Sequence, residues 1–345
     1  MALDMSMVRD LLLRARTSLR HLHPLFKSLI ALSLFVVVVQ LADKSPRDYA
    51  YFYMDRVIDR STYFAEDPEL FWQPADRFRP IDELAAKTRP QDRLLFFGDS
   101  VTYGHGYATV SYPEFLQRRL SLDERHSSLR VLNYAFLAYS SQQAKALAAR
   151  VLAKYDGRLI FLSVGANEIG LANYADQVVY RMNQGWAKKL LFHLNGIRAF
   201  SIYRRFLVSL KREMVTRNAR HAPELVARVS PAEFRKNALD FMALARDKRM
   251  KLVLMSEENR MPANRAELEP YYRIMAQLAE QNPQVIFIDV RPFLRQFAQG
   301  SPADYTYTFE AGKNIFVDTH HLSDDGNRLV GNFIYEEMLR RGLFD

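Results

Sequence analysis

Three short stretches hold the side chains able to do chemistry. Gly98-Asp99-Ser100-Val101-Thr102-Tyr103-Gly104 offers a hydroxyl directly after an apolar run, between glycines that let the backbone turn sharply and leave the oxygen unhindered. Gly165-Ala166-Asn167-Glu168 offers a side-chain amide in a similar setting, and Asp318-Thr319-His320-His321 offers a carboxylate and two imidazoles. Brought together, a hydroxyl, an imidazole and a carboxylate make an activated nucleophile. Taken singly, the serine is often only a helix cap and the asparagine a turn residue. The paired histidines would suit a metal, but no Glu or His stands at the helical spacing of zinc hydrolases, so no metal is expected.

These groups meet only if the intervening chain folds back repeatedly to one edge. Leu94–Phe97, Leu129–Leu132, Leu159–Val164, Leu252–Met255 and Val285–Ile288 are apolar runs of strand length, alternating with longer amphipathic stretches. Strands apolar on both faces and separated by helices predict an α/β fold, a three-layer α/β/α sandwich around a parallel sheet of about five strands. Open sheets of this kind place their sites beyond the carboxyl ends of the strands, which is where the first two stretches fall. Gln142–Lys154 has helical spacing, and Pro231–Arg246 opens with Ser230 as cap, a first-turn proline and Glu233 at the third position. The closing helix is expected over Asn327–Arg340, with Asp324 and Asp325 as cap and first-turn acid.

Between residues 93 and 341 the blocks and their order resemble the SGNH, or GDSL, hydrolase family, whose first block reads GDSxTxG. The resemblance implies a flavodoxin-like sandwich and assigns Ser100 as nucleophile, its backbone N–H also facing an oxyanion. It assigns His321 as general base and Asp318 as the carboxylate orienting it; a three-residue step folds back more easily than the two-residue step to His320. Asn167 would donate its amide to the oxyanion, and Asp99 and Gly165 are supporting positions. The family's GxND becomes Gly-Ala-Asn-Glu here, so Glu168 is expected to change how that loop is braced. A glycine supplies the third oxyanion donor in the family, and Ala138 stands at the equivalent place. Its N–H serves if the backbone there does not demand a positive φ. The implied mechanism needs no cofactor.

The 345 residues are 49% hydrophobic and 25% charged, ordinary for a globular protein, with no cysteine for disulfides, thiolate chemistry or metal ligation. The net charge of +9 is spread along Lys188–Lys236 and the N-terminal arm without any nucleic-acid motif, so no nucleic-acid partner is expected. Residues 28–42 carry no charge and follow a basic arm, residues 1–27. This reads as one N-terminal transmembrane signal anchor, extended by Leu25 and Phe26, with the arm cytoplasmic and the rest extracytoplasmic. Residues 43–92 are read as a juxtamembrane segment packing on the domain at 93–345. A helical insertion at 173–223 places Trp186, Phe192, Phe200, Tyr203 and Phe206 among basic residues.

The expected activity is a serine esterase removing acyl groups, O-acetyl above all, from a carbohydrate or envelope glycan, at the periplasmic face of the cytoplasmic membrane. The alternatives are an O-acyltransferase acting on exported polysaccharide and a non-catalytic glycan-binding or scaffold subunit of an envelope assembly complex. Protein partners are not legible in the sequence.

Overall fold

The alternating apolar runs build a five-stranded sheet, buried on both faces. The computed structural model describes residues 64–74, 78–104, 108–172, 174–195, 225–301, 306–309 and 312–344, with scattered helical positions between 24 and 35. Two compact units form, Met1–Ser45 with Met182–Glu213, and Pro46–Arg181 with Met214–Asp345. The described part of the first includes the helix α4 (Trp186–Asn195). The second carries all three chemical stretches.

Its sheet consists of β1 (Arg93–Gly98), β2 (Arg130–Asn133), β3 (Leu159–Ser163), β4 (Lys251–Met255) and β5 (Val285–Ile288). They run parallel in the order β2-β1-β3-β4-β5. All five strands fall where the apolar runs predict, with ends shifted by a residue or so. This is the order of a doubly wound sheet whose switch point lies between β1 and β3. The register aligns Gly98 with Ser163 and Ser163 with Met255, so the strands end level.

Period-two alternation divides the core. Leu95, Phe97, Ile160, Leu162, Leu252 and Leu254 pack beneath α3 (Ser141–Leu152), α5 (Pro231–Asp247) and α6 (Pro262–Gln281). Leu94, Phe96, Leu159, Phe161, Val253 and Met255 face α2 (Tyr112–Leu122) and α7 (Asp324–Arg340). Phe96 and Phe161 stack across β1 and β3 with centroids 4.0 Å apart. The helix starts follow their caps: Ser111, Ser140 and Ser230 each form a full capping box.

The cap of α7 is Ser323, whose hydroxyl accepts the Gly326 N–H, rather than Asp324. Serine's shorter side chain reaches back to the third helical N–H, which frees Asp324 to accept Thr109 and Val110 N–H and the Thr109 hydroxyl. Among the described residues no helix is long and apolar enough to cross a membrane. Residues 36–42 of the expected anchor and 196–223 of the expected insertion lie outside them.

Gly98 is fixed by close approach: a Cβ there would lie 2.4 Å from both the Ser163 carbonyl oxygen and the Thr102 hydroxyl. Gly98→Ala is expected to lower unfolding free energy by about 1–3 kcal/mol through overpacking at the level strand ends, read by denaturant titration.

Candidate active site

The first stretch makes one tight turn. Asp99, in extended conformation, caps the single-turn helix α1 (Ser100–Tyr103) by accepting the Val101 N–H at 2.8 Å, and Gly104 ends it in the left-handed region at φ 78°. Ser100 is thereby held at the first helical position, at the carboxyl edge of the sheet. Thr102 ties the turn down through its hydroxyl, 2.8 Å from that of Tyr112, and its carbonyl, which accepts the Asn133 amide at 2.9 Å.

Between β5 and α7 the chain returns to the same edge. The His321 Nε2 lies 2.8 Å from the Ser100 Oγ, and its Nδ1 lies 2.6 Å from the Asp318 Oδ2. Because an ionised carboxylate can only accept, the proton sits on Nδ1 and Nε2 is left to accept from the serine. Asp318 Oδ1 also accepts the backbone N–H groups of His320 and His321 at 2.9 and 2.8 Å. Burial raises the Asp318 pKa, but these hydrogen bonds, the ring of His321 foremost, outweigh it and hold the carboxyl below its usual range. Arg260 fixes the loop, its backbone N–H donating to the Thr319 carbonyl and its guanidinium to that of Asp318.

His320 is brought to the site but not into the relay. Its Nδ1 is 2.9 Å from the Thr319 hydroxyl, and burial, aided by the neighbouring His321, pushes its pKa down to about 4. A neutral imidazole follows at physiological pH. The ligand atoms of Asp318, His320 and His321 lie within 4.8 Å of one another and could hold a metal ion. Doing so would compete with the Asp318–His321–Ser100 hydrogen bonds.

Asn167 follows β3 and donates its amide to Asp99 Oδ2 at 3.0 Å. The carboxylate before the serine therefore sets the plane of the asparagine. Glu168, completely buried, accepts the Ser141 N–H at 2.6 Å, so its extra methylene lets it reach the start of α3. Burial raises Glu168 to about 8, opposed by the Ser141 N–H, and raises Asp99 to about 6, opposed first by the Val101 N–H. Gly165 is needed for space, since a Cβ would lie 2.8 Å from the Tyr272 hydroxyl and 2.9 Å from a Glu257 oxygen.

Ala138 does adopt the left-handed conformation, with φ 55°. An ordinary negative φ is the condition expected for an alanine to serve here, and the left-handed backbone costs this alanine about 1–2 kcal/mol. The surrounding loop is over-determined. Arg228 donates to the Ala138 carbonyl at 2.8 Å and the Trp72 indole to the Leu137 carbonyl at 3.0 Å, while Tyr139 donates its hydroxyl to the Trp72 carbonyl at 2.9 Å. Arg228 and Asp176, both fully buried, pair at 2.9 Å, and Asp176 also accepts the Ser140 hydroxyl at 2.6 Å. Trp72, Asp176, Arg228 and Glu257 thus support the site without belonging to any block. Single charged residues flanking an insertion, and a tryptophan before the domain, carry no spacing that would reveal this.

The family model described as the GDSL-like lipase/acylhydrolase family matches residues 96–329. No curated protein matches the chain. Similar solved structures include a member of the lipolytic protein G-D-S-L family from Veillonella parvula (15% identity, 72% of this chain and 98% of that chain, TM-score 0.43). An acetylxylan esterase from Geobacillus stearothermophilus is 16% identical over 72% of this chain and 94% of that one, with a TM-score of 0.45. An alpha/beta hydrolase enzyme from the metagenome of Lake Arreo, Spain, is 16% identical over 74% and 96%, with a TM-score of 0.44.

The buried carboxyls give a signed pH prediction. Glu168 rises from its usual 4.5 to about 8, so between these values the folded state binds more protons than the unfolded one. Its contribution is then most favourable below the lower value and is lost as pH rises through the higher. Glu168→Gln should lessen the fall in melting temperature between about pH 5 and 9 by several degrees, measured by thermal scans of variant and parent at each pH.

Proposed function

The chain belongs to the GDSL-like lipase/acylhydrolase family and is an ester hydrolase, and we propose that it works as a serine esterase with Ser100 as nucleophile. The observation that carries this reading is the unbroken pair of hydrogen bonds from Ser100 through His321 to Asp318. His321 takes the serine proton as Oγ attacks the ester carbonyl. Asp318 holds the imidazole tautomer and stabilises its charged form. The N–H groups of Ser100 and Ala138 and the Asn167 amide receive the negative charge on the tetrahedral oxygen. His321 then returns the proton to the leaving alkoxide. A water activated by the same imidazole releases the acid from the acyl-serine.

The acyl group we assign is acetyl, because Ser100 is only 7% exposed, which favours a short chain. The alcohol side we assign to hydroxyls of an envelope glycan. That part rests on the basic arm and uncharged stretch of residues 1–42, which would tether the domain at the outer face of a membrane. An ester panel tests the acyl half: acetylated sugars should be cleaved faster than longer acyl esters, and a preference for long chains would overturn the acetyl assignment.

Ser100→Ala is expected to lower kcat on p-nitrophenyl acetate by about 10⁴-fold or more without changing the far-UV circular dichroism. Asn167→Ala should cost about 10²–10³-fold in kcat with KM little altered. Ala138→Gly should keep activity and raise stability by about 1 kcal/mol, since glycine accepts the left-handed backbone without strain.

A further inference from the structure

Behind the asparagine lies a knot of three buried carboxyl groups, delivered by three strands. Asp99 follows β1, Glu168 follows β3 and Glu257 follows β4; they are 0%, 0% and 4% exposed. Three adjacent buried carboxyls cannot all be ionised, and the geometry says which one carries the charge. Each oxygen of Asp99 has its own donor, the Val101 N–H on one and the Asn167 amide on the other. Glu168 and Glu257 each keep one oxygen, Oε2, that makes no hydrogen bond among the described residues, the Ala166 N–H lying near the Glu257 carboxyl without closing one. An anionic oxygen without a donor is costly in such a place, whereas a protonated one supplies its own hydrogen.

Glu257 is the better placed of the two to act on the site. Its Oε1 accepts the Ser163 hydroxyl at 3.2 Å, and its carboxyl and that of Asp99 are close enough for the charge of each to act on the other. Its Oε2 presses on Gly165, where a Cβ would come within 2.9 Å, and the carboxyl lies beside the Ala166 N–H, immediately before Asn167. Tyr272 of α6 clamps the backbone from the other side, its hydroxyl donating to the Glu257 carbonyl at 2.7 Å and accepting the Glu257 N–H at 3.3 Å. Tyr112 of α2 and His320 from the last loop line the same small cavity as Glu257. Burial and the neighbouring charges of Asp99 and Glu168 raise its pKa well above the ordinary carboxyl value, in keeping with this reading.

We propose that Glu257 is a positioning residue of the oxyanion hole: its carboxyl, bearing a proton, hydrogen-bonds Asp99 and so fixes the plane in which Asp99 holds the Asn167 amide. This rests on the assignment of Asn167 as an oxyanion donor. Glu257 touches neither substrate nor nucleophile. Its effect is transmitted through Asp99 and the Gly165–Ala166 backbone.

The test compares the full chain with Glu257→Gln and Glu257→Leu on p-nitrophenyl acetate, alongside infrared spectra of each protein. Glutamine keeps the donor and the neutrality, so kcat should stay within about threefold of the parent; leucine removes the donor and should lower kcat at least about tenfold with KM within about twofold. The carbonyl stretch of a buried protonated carboxyl should be present in the parent and diminished in Glu257→Gln. Full kcat in a folded Glu257→Leu protein would overturn the proposal. So would an equal loss in both variants, which would mean that a negative charge was needed, or a carboxyl band unchanged by Glu257→Gln. If the leucine variant does not fold, the glutamine variant and the infrared band decide alone. Failure of the underlying assignment looks different: Asn167→Ala would leave kcat untouched while the band still reported the Glu257 proton.

Discussion

The 2.8 Å contact between the Ser100 hydroxyl and the His321 ring joins residues 221 positions apart in the chain, and the rest of the molecule is arranged to make it. Neither partner has any local reason to be near the other. A parallel sheet solves this by sending every strand in one direction, so that each following loop opens at the same edge. Level registration of β1 and β3 then lets Asn167 reach Asp99, the residue before the serine. The loop into α7 supplies the imidazole from above.

Two kinds of carboxyl meet at this edge, and their environments drive them in opposite directions. Asp318 is more than a third exposed, accepts three hydrogen bonds and is held ionised. Glu168 and Glu257 are sealed from water, each with an oxygen that makes no hydrogen bond among the described residues, and are pushed towards the protonated form. Asp99 stands between, buried yet doubly bonded. A residue's chemical type therefore says little about its charge here. The count of donors aimed at it, set against its desolvation, says much more.

Most of the scaffold was legible because it depends on local pattern. Strand runs such as Leu159–Val164 declare themselves through unbroken apolarity, and Ser230 with Glu233 announces a helix start by spacing alone. The turn carrying Ser100 is legible for the same reason, since the left-handed Gly104 is a short-range demand of the backbone. What could not be read is what depends on long-range approach. The pairing of Arg228 with Asp176 spans 52 positions, and the proximity of Glu257 to Asp99 spans more than a hundred. Ala138 misleads in a different way. Its side chain suggests an ordinary φ, and only the tertiary grip of Arg228 and Trp72 on the neighbouring carbonyls shows why the loop holds a left-handed residue that is not glycine.

The indole of Trp72 donates to a loop carbonyl beside the proposed oxyanion donor, yet it lies upstream of β1 and of the span matched by the family model. The residues that hold the site together therefore extend beyond the span the family model matches. A piece begun at Arg93 would retain every reacting group and still lose the brace that shapes the pocket. Boundaries drawn from motif coverage alone would yield a protein that looks complete on paper and is missing one wall.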